Sequence, residues 1–273
     1  MTTDSKSTIE LVVTDLDGTL WETDNHTPFE TREAIADLEL HKIPLLVATG
    51  RRVASTRDPL ARLGLTPPVV VLNGGLGLDL ATGERFHRGG FSSEDATAVL
   101  DTFLATGVRP CVYVDDDEFP VRLAANPSTH PRHIAAFGTG AREQDLHEAV
   151  VEETVLAFSV LALDEEIALP LHTHVSAHAV PHAAPDREYG GYGFTVAPNG
   201  ISKWEGIVAF CTTRDIDASK VLVLGDGPND VEMLTNAAVA VVPSDGHVDA
   251  LAIADHVIGR AADGGWAQVL DLI

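Results

Sequence analysis

The stretch ELVVTDLDGTLWE, residues 10–22, decides the fold reading. An apolar run (Leu11, Val12, Val13) leads directly into two carboxylates, Asp15 and Asp17, one residue apart and just ahead of Gly18. Two acids this close at a strand end repel each other and cost stability, so a compensating partner is expected. The run predicts a short strand over residues 9–14, followed by a polar loop and a helical pattern over residues 28–41.

The same alternation continues outward. IPLLVAT (residues 43–49) predicts a second strand, residues 53–63 a second helix, and PVVVLNGG (residues 68–75) a third strand. Near the C-terminus a helix over residues 203–211 precedes the strand KVLVLGDG; a helix over residues 229–235, the strands AVAVV and HVIG, and a terminal helix follow. Continuous apolar runs separated by helices belong to a parallel sheet covered on both faces. Both ends of the chain therefore predict one α/β, doubly wound parallel-sheet core, over residues 1–79 and 196–273.

Residues 80–195 read differently. A helix over residues 93–105 is followed by two strands (112–114 and 119–123) around the acidic turn DDDE at residues 115–118. A helix over residues 142–153, the strand VLAFSVLAL, a histidine-bearing strand HTHVSAHAV and GYGFTVA complete the segment. Strands that pair as hairpins predict an inserted α+β domain. His172, His174 and His178 share strand parity and would face one side. No cysteine joins them as a zinc ligand, and a wet sheet face has the same spacing.

Composition narrows the function. The formal charge is −23 over 273 residues. So acidic a chain is repelled by phosphate backbones and anionic membranes, which argues against nucleic-acid or lipid-surface partners. No apolar run is long enough to span a bilayer, and MTTDSKSTIE lacks the basic start and apolar core of a secretion signal. Two cysteines, Cys111 and Cys211, are too few for a disulfide scaffold. A cytoplasmic protein is expected, with its oligomeric state left open.

In an open parallel sheet, ligands bind beyond the carboxyl ends of the strands. Here those ends carry Asp15-Leu16-Asp17-Gly18-Thr19, Thr49-Gly50-Arg51, Asn73-Gly74-Gly75 and Gly225-Asp226-Gly227-Pro228-Asn229-Asp230. Clustered carboxylates need a cation, and an all-oxygen donor set suits a hard ion such as Mg²⁺. Thr49 and Gly50, just before a helix, offer a hydroxyl and free N–H groups to an anion, and Lys203 adds a point charge. An anion facing a metal-bound carboxylate is the arrangement of phosphoryl transfer.

DLDGTL, ATGR, the lysine of PNGISKWEGI and GDGPND resemble, in order, the four motifs of the haloacid dehalogenase-like (HAD) phosphatase superfamily. The insertion between the second and third motifs, and the segment VVLNGGLGLDLATGERF, resemble its Cof-like subgroup with a class IIB α/β cap. The resemblance implies a Rossmann-like HAD core, a cap at residues 80–195 that governs specificity, and Mg²⁺ as cofactor. It implies Asp15 as the nucleophile that forms an aspartyl-phosphate and Asp17 as acid and then base. Thr49, Gly50 and Lys203 would hold the phosphoryl group. The metal would be held by Asp15, Asp17 (through its backbone carbonyl) and Asp226, with Asn229 and Asp230 ligating or orienting nearby. Asp17 also argues against dehalogenation, since the dehalogenase branch lacks that second aspartate. The partner expected is a small phosphorylated metabolite, a sugar phosphate or phosphorylated cofactor. Asn73, Arg122, Asn126, His130 and Tyr189 are candidate substrate contacts. Two rivals stand beside a phosphatase: a phosphomutase of the phosphomannomutase type, and a non-catalytic phosphometabolite sensor.

Overall fold

The structure, a computed structural model, describes residues 9–22, 25–186 and 188–273. The N-terminal stretch 1–8, read above for a secretion signal, lies outside them.

The chain begins with the expected alternation. Strand β1 (Leu11–Thr14) is followed by a helix over Phe29–His41, β2 (Leu45–Ala48), a helix over Val53–Arg62 and β3 (Pro68–Val71). Leu11, Val12, Val13 and Thr14 are fully buried, as continuous apolar runs in a two-sided sheet must be. The third strand is shorter than expected. After Val71 the chain turns through left-handed Leu72 and Asn73, and β4 (Leu76–Asp79) returns antiparallel to β3. Strand β5 (Arg85–Arg88) lies beyond β4.

The inserted segment builds its own six-stranded sheet. Its strands are β6 (Cys111–Val114), β7 (Val121–Leu123), β8 (Ala141–Glu143), β9 (Val155–Leu163), β10 (Val180–Pro185) and β11 (Tyr192–Ala197), in the order β10-β11-β9-β6-β7-β8. Helices Ser93–Ala105, Leu146–Glu152 and Glu165–Val175 supply the other half of a core centred on Phe103, Phe158 and Phe194. Residues 142–153, expected as one helix, are split between β8 and the helix that Asp145 caps through its carboxylate.

The histidine-bearing strand is overturned. His172 and His174 lie in the last turn of the helix Glu165–Val175. Asp164 precedes that helix, Glu165 and Glu166 occupy its first turn, and Ala168, Leu171 and Val175 form its buried face at helical spacing. Positions two apart on a helix diverge by about 200°, so His172 and His174 do not share a face, and the zinc reading loses its geometric basis.

The chain then rejoins the first sheet through β12 (Val221–Leu224), β13 (Val239–Pro243) and β14 (His256–Ile258). The eight-stranded order is β14-β13-β12-β1-β2-β3-β4-β5, with β1 parallel to both β12 and β2. The terminal helix over Gly265–Leu272 is of the 3₁₀ type. Two compact units result: residues up to His87 together with Ser202–Ile273, and Arg88–Ile201. The first boundary falls later than residue 80 because β4 and β5 extend the first sheet past β3, and the second falls later than residue 195 because β11 continues the inserted sheet to Ala197. Among the described residues no helix is long and apolar enough to cross a membrane.

Candidate active site

Four loops of the first unit, after β1, β2, β3 and β12, carry the four strand-end motifs read from the sequence, and Lys203 comes from a helix of the same unit. The β1–β12 register places Thr14 beside Leu224, and the Asp15 N–H donates to the Leu224 carbonyl at 2.9 Å. This pairing is what brings the first and last motifs together across more than 200 residues of sequence.

Lys203 is the centre of charge. It opens the helix Lys203–Arg214, where a cation opposes the helix dipole, and only 1% of it is exposed. Its Nζ donates to Asp15 Oδ1 at 2.8 Å and to Asp230 Oδ1 at 2.6 Å. Burial works against its charge, but Asp15 and Asp230 more than offset this and hold its pKa above the ordinary lysine value. A capping box fixes the helix start: Ser202 Oγ accepts from the Trp204 N–H, and Glu205 accepts from the Ser202 N–H at 2.8 Å. The sequence signal for it, Ser202-x-x-Glu205, is legible but escaped the sequence reading.

The fourth motif wraps around Asp230. Its Oδ2 accepts from the N–H groups of Asp226 and Gly227 at 3.0 and 2.9 Å, and its Oδ1 is taken by Lys203. Asp230 is therefore fully committed as a charge partner and loop anchor. Asp226 accepts at Oδ1 from the Thr19 hydroxyl at 2.8 Å, a role for Thr19 that the sequence did not disclose. Asp226 Oδ2 lies against the backbone of Gly18. Gly18 is left-handed (φ 82°), and a Cβ there would collide with that carboxylate, so only glycine serves.

Asp17 is held from the second loop. Arg51 Nε donates to Asp17 Oδ2 at 2.6 Å and Arg51 Nη2 to Asp17 Oδ1, a two-pronged guanidinium–carboxylate pair. Arg51 Nη1 reaches Asn25 Oδ1 at 2.6 Å, and the guanidinium sits over the buried Trp21 ring. Arg51 appeared in the sequence reading only as the end of a motif; its partner is set by tertiary structure. The neighbouring Thr49 is buried, and its Oγ1 accepts from the Arg51 N–H at 3.2 Å. Asn73, also buried, accepts from Asn229 Nδ2 at 3.0 Å.

Carboxylate oxygens of Asp15, Asp226 and Asp230 lie within 4.8 Å of one another. Among the described residues, Asp15 Oδ2 and Asp226 Oδ2 have no hydrogen-bond donor. Burial raises Asp15 well above the ordinary carboxylate range; Lys203 opposes this, while Asp230, Asp226 and Asp17 add repulsion. Burial, then repulsion from Asp230, pushes Asp226 up to about 7. One lysine does not neutralise this group, and two open oxygens on crowded, desolvated acids fit a hard divalent cation.

A stability test follows. Folded Asp226 retains a proton that the unfolded chain releases near 3.8, so without cation this group lowers stability as pH rises from 3.8 to about 7. Protons and cation compete for the same oxygens. The gain in Tm on adding Mg²⁺ is expected to be small near pH ~5 and largest above pH ~7. A gain that does not change across that span would place the cation elsewhere.

The other candidate contacts belong to the inserted unit. Arg122 is buried and spent internally on Glu153 (2.8 Å) and Asp116 (2.8 Å). Asp116 also accepts from the Glu118 and Phe119 N–H groups, as a hairpin turn requires. Asn126 is exposed in the turn after β7. Tyr189 packs against His130 and beneath Arg132, and the His130 ring accepts from the Arg132 N–H at the start of a short helix.

Residues 12–270 match the model of a family described as haloacid dehalogenase-like hydrolase. The chain is 22% identical to a phosphoglycolate phosphatase of Methanopyrus kandleri, over 95% of each chain. Among solved structures, a HAD-superfamily phosphatase of Bacteroides thetaiotaomicron superposes with a TM-score of 0.76 at 20% identity, covering 100% of this chain and 99% of its own. The HAD subclass IIB sugar phosphatase BT4131 gives 0.74 at 20% identity, covering 97% and 100%.

Proposed function

This chain belongs to the haloacid dehalogenase-like hydrolase family, and from that premise we propose that it is a Mg²⁺-dependent phosphatase of small phosphomonoesters, working in the cytoplasm through an aspartyl-phosphate. The observation that carries the reading is the buried Lys203 bridging Asp15 and Asp230 while Asp15 Oδ2 stays open. Such an arrangement opposes the desolvation of the carboxylate and aims it without using up its second oxygen.

Asp15 Oδ2 attacks phosphorus, and the bond from phosphorus to the ester oxygen breaks. Asp17 gives its proton to that departing oxygen. Water then attacks the phosphorus, Asp17 takes up its proton, and the bond to Asp15 breaks to release phosphate. Lys203 and the Thr49–Gly50 loop hold the phosphoryl oxygens; Arg51, paired in this structure with both oxygens of Asp17, orients it and gives up one of them for Asp17 to carry the proton. Asp15, Asp226, Asn229 and the Asp17 carbonyl are the groups assigned to the cation, with Asp230 orienting them. A bound divalent cation supplies charge neutralisation between the phosphoryl group and the attacking carboxylate. Choice among esters, sugar phosphates or phosphorylated cofactors, is assigned to the inserted unit.

The deciding experiment is turnover of a phosphometabolite panel with Mg²⁺ and with chelator. Release of free phosphate, lost on chelation, supports the reading. An isomerised sugar phosphate would make the protein a mutase, and no turnover at all would make it a sensor.

A second outcome concerns Asp17→Asn. Phosphorylation of Asp15 is expected to slow by roughly 10²–10⁴-fold for alkyl phosphates, which need a proton on the leaving oxygen. For p-nitrophenyl phosphate the loss in that step should be much smaller. Rapid-quench measurement of both esters checks this; equal losses would remove Asp17 from the acid role.

A further inference from the structure

The turn after β3 carries a strained, nearly buried amide that the chemistry above leaves unused. Leu72 (φ 54°) and Asn73 (φ 53°) are both left-handed, a conformation that leucine adopts only under constraint. The turn is tied to the second loop: the Leu72 N–H donates to the Arg51 carbonyl at 3.0 Å, and the Asn73 N–H to the Thr49 carbonyl at 3.2 Å. Asn73 therefore lies alongside Thr49, Gly50 and Arg51, the loop assigned to the phosphoryl group.

Only 8% of Asn73 is exposed. Its amide lies against Gly50, where an added Cβ would stand 3.0 Å from Oδ1 and 3.4 Å from Nδ2. Gly50 has no left-handed φ, so the glycine is there for room. Asn73 Oδ1 accepts from Asn229 Nδ2 at 3.0 Å. The Nδ2 group carries two N–H donors, and among the described residues neither has an acceptor. This donor pair lies beside the anion loop on a backbone in the left-handed region, and it is open to an acceptor that the described residues do not supply.

Resting on the phosphatase reading above, we propose that Asn73 is a phosphoryl-binding residue whose Nδ2 donates to an oxygen of the substrate's phosphoryl group. A hydrogen bond from a fixed amide to a charged phosphoryl oxygen is stronger than one between neutral groups.

Asn73→Gly separates this role from a structural one, since glycine adopts the left-handed backbone without strain. The probe is inorganic phosphate, titrated calorimetrically into the full chain with Mg²⁺ saturating, alongside thermal unfolding. The expected result is a Tm equal to or above wild type with phosphate affinity at least ~10-fold weaker. Asn73→Asp keeps an acceptor for Asn229 but turns the donor into an oxygen, and should weaken phosphate further. If either folded variant binds phosphate within twofold of wild type, the proposal is overturned while wild-type turnover leaves the phosphatase reading intact. Wild-type protein that neither binds phosphate nor turns over any ester would overturn both.

Discussion

Asp15→Asn is expected to cut turnover of any phosphomonoester by roughly 10⁴-fold or more while the protein stays folded. Covalent attack needs an ionised oxygen, and an amide offers none at Oδ2. Stability should hold or rise, because the substitution removes a carboxylate that burial and three neighbouring acids already disfavour. Lys203 keeps Asp230 as its partner, so no buried charge is orphaned. Initial rates on p-nitrophenyl phosphate, together with a melting curve, check both halves. Residual activity within tenfold of wild type would remove Asp15 as nucleophile.

Lys203→Met is expected to damage both function and fold. The substitution roughly preserves volume but leaves Asp15 and Asp230, both buried, without their shared cation. Breaking a buried ion pair on one side costs about 3–5 kcal/mol. The pH dependence has a definite sign. Removing the ammonium raises the Asp15 pKa further above 3.8, so the folded variant binds a proton that the unfolded chain releases. Wild-type Asp15 is itself raised, so the variant's extra deficit should develop only as pH rises through the range where wild-type Asp15 ionises and the variant's does not, and be smallest below that range. Urea unfolding at several pH values measures it. A loss below about 1 kcal/mol at neutral pH would mean that water or another cation reaches these acids. Lys203→Met/Asp230→Asn should recover part of the stability but little of the activity.

The core alternation was legible in the sequence because each strand there is short, wholly apolar and bounded by helices, as at residues 11–14 and 221–224. Buried parallel strands have no other way to look. The motif residues were legible for a related reason: polar groups at the carboxyl ends of such strands have no core to enter. Local patterning also has limits. Residues 172–175 alternate in histidine, as a half-wet strand would, yet form the end of a helix, because Ala168, Leu171 and Val175 find a common core at helical spacing.

By itself, then, the sequence determined the doubly wound class and marked off an insertion, and it singled out Asp15, Asp17, Thr49, Lys203 and Asp226 as candidates. The tertiary structure decided which of them touch. That Lys203 lies between Asp15 and Asp230, that Arg51 grips Asp17, that Thr19 holds Asp226 and that Asn73 meets Asn229 are contacts across sheet neighbours. They depend on β1 pairing with both β12 and β2 and on a left-handed turn after β3. Helix and strand periodicity reports only which way a side chain faces relative to its own element. Partners that far apart in sequence are chosen by the register of parallel strands, which no local pattern encodes.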